Sequence, residues 1–205
     1  MTLEFATLDF LLDPRANARF GLLLVPMGFI NEIHEPPFFH GNVRPQVEQQ
    51  ILPSTWSSNG LGLFGELLPG LEYRTYGITS LNAKGYRPNN LRDARQGGNV
   101  ERAEDWSWVA RLDYSPVPEV RLGGSLYLGD QGQGERYGDP GDPDDPDRPD
   151  RRVKAGVFTQ IYETHAQLRT RGWELRALGA ITHIDDANIL STDPDLEGTI
   201  AKVVL

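Results

Sequence analysis

Four residues of one segment have side chains that commonly bind metal ions. They are Glu32, His34, Glu35 and His40, and imidazole nitrogens with carboxylate oxygens form a donor set that Zn²⁺ accepts. Their spacing matches no known zinc pattern, and the prolines and phenylalanines between them are typical of a loop that packs against its neighbours. We therefore predict ordinary loop packing and no metal site.

A second pair, His165 beside Glu163, has the residue types of a general acid and base. Residues two apart on a strand share one face, so a close His–Glu pair is common on any polar strand face. No nucleophile or third partner stands out near this pair in the sequence. We predict no catalytic residue, no cofactor and no enzymatic activity.

A third stretch, from Gly138 to Asp150, consists mostly of Asp, Pro and Gly. Its carboxylates are possible calcium ligands, but they lack the ordered oxygen spacing of known calcium loops. Prolines recur there at every third position, which favours an extended polyproline II conformation. The sequence predicts a solvated, mobile loop over residues 129–151.

Composition excludes several classes of function. The net charge is −9 with a pI near 4.9, whereas nucleic-acid binding needs clustered Lys and Arg. Cysteine is absent, which excludes disulfides, a thiolate nucleophile and Cys-based metal sites. The longest apolar run, near Phe20 to Met27, is too short for a membrane helix. Residues 1–4 show no basic or apolar region of an export signal.

Strict alternation of apolar and polar residues identifies the elements that must position these side chains. From Trp106 to Tyr114 the even positions are apolar, and the odd positions are polar except for Val109. Similar patterns predict strands at residues 3–11, 18–25, 61–67, 71–79, 106–114, 120–128, 157–170, 173–183 and 199–205. A turn at Arg171-Gly172 would place Leu168 opposite Leu175, and folding back at residues 115–119 would place Asp113 opposite Arg121.

The predicted connections alternate between short and long. Residues 26–59 form the longest, with Pro45 and Pro53 bounding a short helix over residues 44–53. The aromatic residues of this loop, Phe29, Phe38, Phe39 and Trp56, predict that it packs onto the polar face of the sheet.

Short turns at one end and long loops at the other are typical of transmembrane β-barrels. We predict an all-β fold: an antiparallel up-and-down meander of about eight or nine strands, with one loop that contains a short helix, forming a single partial barrel domain over residues 1–205 with unpaired terminal strands. The apolar faces would meet lipid, as tested by Trp108, Leu112, Leu122, Leu126, Leu168 and Leu175. The polar faces would line a wet lumen, with the pore-lining residues Arg74, Arg111, Asp113, Arg121, Glu163, His165, Arg169, Glu174 and Arg176.

Four segments carry a resemblance to a known family. Residues 22–29 (LLLVPMGF), 36–39 (PPFF), 55–65 (TWSSNGLGLFG) and 111–114 (RLDY) resemble Gram-negative outer-membrane porins of the phosphate-selective O/P type. The resemblance implies a large antiparallel barrel, usually a homotrimer, with a long loop folded into the lumen as a constriction. In this chain that loop carries Glu32, Glu35, Arg44 and Glu48. The chain has about half of the strands of such a barrel, so we interpret it as a fragment.

The first functional hypothesis is therefore a segment of an outer-membrane channel that allows passive diffusion of small hydrophilic or anionic solutes, with phosphate as one candidate anion. The lumen-facing arginines share their face with Glu66, Glu72 and Asp113, so local ion pairing explains them as well as anion selectivity does. The alternative hypothesis is a soluble or surface-exposed β-protein that binds carbohydrate or a protein partner through aromatic loops.

Overall fold

Alternating apolar and polar residues form one long antiparallel sheet. The computed structural model describes residues 3–33, 43–88, 90–98, 100–141, 145, 149–196 and 202–204. The sheet has nine strands, in the order β1-β2-β3-β4-β5-β6-β9-β10-β11, and a separate hairpin joins β7 to β8. The strand bounds are β1 Ala6–Asp13, β2 Ala16–Leu24, β3 Ser57–Leu68, β4 Leu71–Thr79, β5 Trp106–Val117, β6 Val120–Gly129, β7 Arg136–Tyr137, β8 Val153–Lys154, β9 Thr159–Thr170, β10 Trp173–Ile184 and β11 Lys202–Val204.

The connections alternate strictly between the two ends of this sheet. Two-residue turns join β1 to β2, β3 to β4, β5 to β6 and β9 to β10, whereas the connections at the other end run over residues 25–56, 80–105, 130–158 and 185–201. Arg171 and Gly172 have φ of 48° and 83°. Two positive φ values are the requirement of a type I′ turn, whose twist matches that of the flanking strands.

One predicted register is confirmed and another is wrong. Leu168 lies opposite Leu175, as predicted from the Arg171-Gly172 turn. Asp113, however, pairs with Gly123 and not with Arg121, because β5 continues to Val117 through an irregularity after Tyr114. The extra strand length moves the turn to residues 118–119 and shifts every partner on β6.

The two faces of the sheet have different surroundings. We call the face that carries the long connections the covered face, and the other the open face. A buried apolar cluster lies on the covered face, at the end of the sheet with the long connections. There Tyr76, Val109, Tyr127 and Ile161 of the sheet meet Trp56 of the long loop. The prediction of a uniformly polar, wet face is wrong there, because the loop excludes water from these positions.

Short helices occur only within the long connections of the described chain. α1 spans Gln46–Gln50 after Pro45, close to the predicted helix, and α2 spans Ala187–Leu190. Three-residue 3₁₀ helices lie at Asn31–Ile33, Ala83–Gly85, Arg92–Ala94 and Pro194–Leu196. No helix in the described ranges is long and apolar enough to cross a membrane.

The connection between β6 and β9 is partly anchored. The β7–β8 pair joins its two arms, and Gln131, Gln133 and Tyr137 are buried. The polyproline II conformation was predicted for residues 138–150. Residues 142–144 and 146–148 of this stretch lie outside the described ranges, so the prediction is not tested there.

The ends of the sheet do not meet in the described chain. β1 pairs only with β2, and β11 pairs only with β10. The predicted fold class, an all-β partial meander with open terminal strands, is therefore confirmed.

The buried cluster predicts a large difference between two tryptophans. Trp56 is 1% exposed and Trp173 is 74% exposed, and the Trp56 ring lies 4.9 Å from that of Tyr127, edge to face. We expect Trp56→Ala to lower the free energy of unfolding by about 3–5 kcal/mol and Trp173→Ala by less than about 1 kcal/mol. Denaturant unfolding followed by circular dichroism measures both. Equal losses would contradict the docking of Trp56 in the core.

Candidate functional site

A buried network of four ionisable side chains lies on the covered face, nearer to the two-residue turns than the apolar cluster is. His165 of β9 is bracketed by two carboxylates: Nδ1 lies 2.7 Å from Glu163 Oε1, and Nε2 lies 2.8 Å from Asp113 Oδ1. Arg111 donates from Nε to Asp113 Oδ2 at 2.6 Å and from Nη2 to Oδ1 at 3.1 Å. All four residues are at most 6% exposed. We call Arg111, Asp113, Glu163 and His165 the charge network.

Small residues on β6 make this network possible. Asp113 on β5 and His165 on β9 are separated by β6, and the residue between them in register is Gly123. A Cβ atom at this position would lie 2.5 Å from His165 Nε2 and 2.7 Å from Asp113 Oδ1. In the next covered-face row Ser125 lies between Arg111 and Glu163, and its hydroxyl donates to Glu163 Oε2 at 2.6 Å. Two small residues of β6, Gly123 and Ser125, thus let side chains of β5 and β9 interact across it.

The charge network also holds the long loop. Arg111 Nη1 donates to the carbonyl oxygen of Gly28, where the backbone turns through a φ of 69°. The next residue, Phe29, places its ring 4.9 Å from that of His165 in an edge contact. The guanidinium of Arg176 also lies over the Phe29 ring, 5.6 Å from its centroid. The loop is therefore fixed to β5, β9 and β10 at one short segment.

Glu48 of α1 secures the same segment from within the loop. It is 3% exposed, and its Oε1 accepts from the backbone N–H of Ile30 at 2.7 Å. Burial raises the pKa of the Glu48 carboxyl above its usual range, and hydrogen bonds from the N–H groups of Ile30 and Phe29 offset part of that rise.

Arg74 and Glu32 join the charge network from its more exposed side. Arg74 Nη1 lies 3.3 Å from Asp113 Oδ2 and 3.4 Å from Glu32 Oε2. Glu32 Oε2 lies 4.0 Å from Arg111 Nη1. Both side chains are about a quarter exposed, at 25% and 29%. The network thus reaches solvent through these two residues.

The remaining predicted strand residues lie nearer the two-residue turns. Glu174 contacts Arg176 at 2.7 Å and Arg169 at 3.2 Å, and Gln167 also donates to Glu174. Arg121 is exposed and lies opposite Gln167. These residues share the face of the charge network but belong to a second, more exposed group.

The loop residues predicted for the constriction are only partly brought together. Glu32 and Glu48 approach the charge network, as described above. Arg44 lies farther away, with Nη1 donating to Ser54 Oγ at 3.3 Å. Glu35, and also His34 and His40, lie outside the described residues.

A group of arginines between two connections was not predicted. Arg92 and Arg95 donate to the backbone carbonyl oxygens of Ser54 and Thr55, respectively. Burial, with the nearby charges of Arg92 and Arg44, lowers the pKa of Arg95 to about 10. Positive charge therefore accumulates near the start of β3. Arg44 is far from Arg92 and Arg95 in sequence, and the acidic residue Asp93 lies between the latter two, so spacing alone gave little signal for this group.

Burial separates the observed site from the predicted one. The sequence predicts that Arg111, Asp113, Glu163 and His165 line a wet lumen, but all four lie beneath the loop. The Phe29 ring covers His165, whose side chain is 0% exposed. No solute reaches this ring in the arrangement described, so the network is suited to balance charge and position the loop. The signal for this burial was Val109, the one apolar residue in the polar row of β5.

Comparison with known proteins gives one distant relative. The chain is 28% identical over 200 residues to an uncharacterized protein of Aquifex aeolicus (strain VF5), and the match covers 94% of the chain and 41% of the relative. The chain therefore spans less than half of the length of this relative. No protein-family model matches the chain, and no solved structure matches it.

The role of Gly123 as a gap is testable by adding one methyl group. We expect Gly123→Ala to separate Asp113 from His165 and to lower the free energy of unfolding by about 1–3 kcal/mol, because the close contacts force side chains to move. Gly179→Ala is the matched control, since a Cβ there meets nothing within 4 Å. Denaturant unfolding of both variants is the measurement, and an equal effect would show that the gap is unimportant.

Glu48 predicts a distinct dependence of stability on pH. Because its pKa is raised in the folded state, the folded protein holds this proton more tightly than the unfolded chain does. This contribution therefore decreases the free energy of unfolding as the pH rises from the usual carboxyl range to the folded pKa. In Glu48→Gln it should disappear, so the variant should lose less stability than the unmutated protein across that window.

Unfolding midpoints measured between about pH 4 and 8 give the difference between the two proteins, which removes the contribution of all other carboxyls. Glu119→Gln, in an exposed turn, is the control. A Glu48→Gln curve parallel to that of the unmutated protein would contradict the buried position of Glu48.

Proposed function

We propose that this chain forms part of the wall of an outer-membrane β-barrel channel through which small hydrophilic solutes diffuse. The observation that carries the proposal is the chemistry of the open face. Within the regular registers from Ala6 to Ile181, its positions hold no Asp, Glu, Lys or Arg. Soluble proteins rarely expose an apolar surface that continues across so many strands.

The open face has the side chains that a lipid environment favours. Five of the six side chains chosen from sequence as tests are exposed there, and Leu126 is half-buried. The exposed set also includes Leu8, Phe10, Phe20, Leu61, Leu63, Trp106, Tyr114 and Tyr162. Trp106 and Tyr114 lie eight residues apart on β5, about 27 Å along an extended strand. Once the strand is tilted as in a barrel, this is about 20 Å in height, which approaches the apolar band of about 25 Å that aromatic residues flank in transmembrane barrels.

The covered face supports the position of a lumen. Charged residues of every long strand, such as Asp9, Arg19, Arg74, Arg121 and Glu174, point to this side. The long loop lies on it as well, with Glu32 and Arg74 at its exposed margin. In the proposed channel this loop narrows the lumen, and these two residues lie near the path of the solute.

Anions such as phosphate are the solute class that the arginine group favours. Arg92 and Arg95 have backbone carbonyls as their hydrogen-bond acceptors, and a positive potential at a channel mouth attracts anions. The arginines of the strands support this less, because Arg19 is paired with Asp9 and Arg111 with Asp113.

The incomplete sheet fits a barrel whose other strands come from elsewhere in the complete protein. A bilayer requires every strand edge to be paired, and the outer edge of β1 has no partner in the described chain. The outer membrane of a Gram-negative bacterium and a homotrimeric assembly belong to the same proposal through the resemblance in sequence.

The alternative, a soluble or surface β-protein that binds through aromatic loops, has less support. Trp56, Tyr86 and Tyr137 of the described connections are at most 1% exposed. Their rings are therefore not available to a ligand. Phe38 and Phe39 lie outside the described residues.

The proposal is tested by placing an arginine on each face. Leu112 of β5 is 47% exposed on the open face, whereas Thr7 of β1 is exposed on the opposite face. We expect Leu112→Arg to destabilise the protein folded in lipid vesicles by about 2–4 kcal/mol, because the charge would enter the hydrocarbon. Thr7→Arg should have little effect, since it faces water. Denaturant titration in vesicles measures both.

The unmutated complete protein is also expected to need detergent to stay dispersed and to give stepwise ion conductance in planar bilayers. A monodisperse protein in plain buffer that neither enters vesicles nor conducts would overturn the proposal in favour of the soluble alternative.

A further inference from the structure

The charge network is arranged so that His165 must be doubly protonated. Each ring nitrogen faces a carboxylate oxygen, at 2.7 Å and 2.8 Å, and a nitrogen lone pair directed at a carboxylate would be repelled. Arg111 Nη2 also approaches Nε2, but at 3.3 Å. The shorter contact decides the assignment: Nε2 donates to Asp113, and Arg111 Nη2 donates to the same oxygen. His165 is therefore an imidazolium in this arrangement.

The network is balanced only with this proton in place. Arg111 and His165 supply two positive charges, and Asp113 and Glu163 supply two negative charges. Without the proton one negative charge is in excess among groups that are at most 6% exposed. An uncompensated buried charge is costly, because neither water nor a partner stabilises it.

Other ionisable groups that face the network do not replace this charge. Arg74 of β4 approaches Asp113 but is shared with Glu32 and Glu72. Arg176 of β10 is paired with Glu174, and its guanidinium lies 5.6 Å from the centroid of the Phe29 ring. Glu48 of the loop adds to the negative side of the balance when it is ionised, and burial raises its pKa above the usual carboxyl range.

We propose that the charge network is a pH-sensitive latch that holds the long loop on the sheet. The loop is attached to the same residues whose charges must balance. The carbonyl oxygen of Gly28 accepts from Arg111, and the Phe29 ring makes an edge contact with the His165 ring. When His165 loses its proton, Asp113 and Glu163 repel its lone pairs, and admitting water to the network requires Phe29 to leave. The segment around Phe29 is then released from the charge network, while Met27, Ile51, Leu52 and Trp56 still hold the loop in the apolar cluster.

The direction of the pH dependence follows from this geometry. A solvated histidine has a pKa near 6.5, and the docked arrangement requires the proton that a solvated ring gives up above that value. Docking is therefore complete near neutral pH and weakens as the pH rises into the alkaline range. In the proposed channel, release would widen or reshape the lumen, and this consequence alone rests on the proposed function.

The absence of cysteine gives a direct test. Gln46 of α1 and Thr170 beside the β9–β10 turn are exposed, so Gln46→Cys and Thr170→Cys each allow one nitroxide spin label, one on the loop and one on the sheet. Electron paramagnetic resonance then reports the mobility of each label between about pH 6 and 10. The readout does not depend on conductance, so failure of the latch is distinguishable from failure of the channel proposal.

With the labels in place, the network is broken by His165→Gln, and His183→Gln on the same sheet is the matched control because His183 is half exposed and outside the network. At pH 7 we expect the loop label in His165→Gln to be at least about tenfold more mobile in correlation time, with the sheet label unchanged. In the unmutated protein and in His183→Gln the loop label should become mobile only in the alkaline range.

Two results would overturn the latch. One is a loop label that is equally immobile in His165→Gln and in the unmutated protein at pH 7. The other is an unmutated protein whose loop label shows no change up to about pH 10. If His165→Gln fails to fold, the pH titration of the unmutated protein decides alone, since a flat curve contradicts the proposal and a selective release of the loop label supports it.

Discussion

The alternation of side chains along each strand is the constraint on which the rest of this molecule depends. Successive residues of a strand point to opposite faces, so one sequence has to meet two different surroundings. Here the open face holds no Asp, Glu, Lys or Arg in the regular registers of eight neighbouring strands, and every such charge is directed to the covered face. A one-residue shift of any strand would place charges among the open-face leucines and aromatics. The two-residue turns, including the type I′ turn at Arg171-Gly172, keep the registers from shifting.

The covered face then has to accommodate charge where water is partly excluded. It does so in two zones: an apolar zone around Tyr127 and Trp56, and a polar zone around His165. The long loop covers both, and its attachment differs accordingly. Trp56 is held by packing, which is insensitive to pH, whereas Gly28 and Phe29 are held by the charge network, which depends on one proton. The loop is held by packing at Met27, Ile51, Leu52 and Trp56 and by the charge network at Gly28 and Phe29, so only the second attachment depends on His165.

The open face and the loop lead to the same functional proposal by independent routes. A charge-free band next to a polar face is what a bilayer and an aqueous lumen would each select. A loop folded onto the polar face reduces the space available to a solute. Neither feature has an evident use in a soluble sandwich, where the apolar faces of two sheets would cover each other. The match to the longer Aquifex aeolicus protein covers nearly all of this chain, but that protein is uncharacterized and adds no function to this proposal.

Local patterns in the sequence were sufficient for the strands of the nine-stranded sheet, most of the turns, the short helix near Pro45 and the division of side chains between two faces, but not for the small β7–β8 hairpin. These features depend on neighbours in the chain: the period of two, the positive φ that glycine allows, and proline at a helix start. The sequence also places Glu163 and His165 on one face, because they are two residues apart.

Only the tertiary structure decided that His165 meets Asp113 across Gly123, since these two residues are 52 positions apart in sequence and their contact depends on the register of β6. The same is true of burial. Whether a polar face is wet or dry depends on where the loop lies, and the position of the loop is set by contacts between residues as distant in sequence as Gly28 and Arg111.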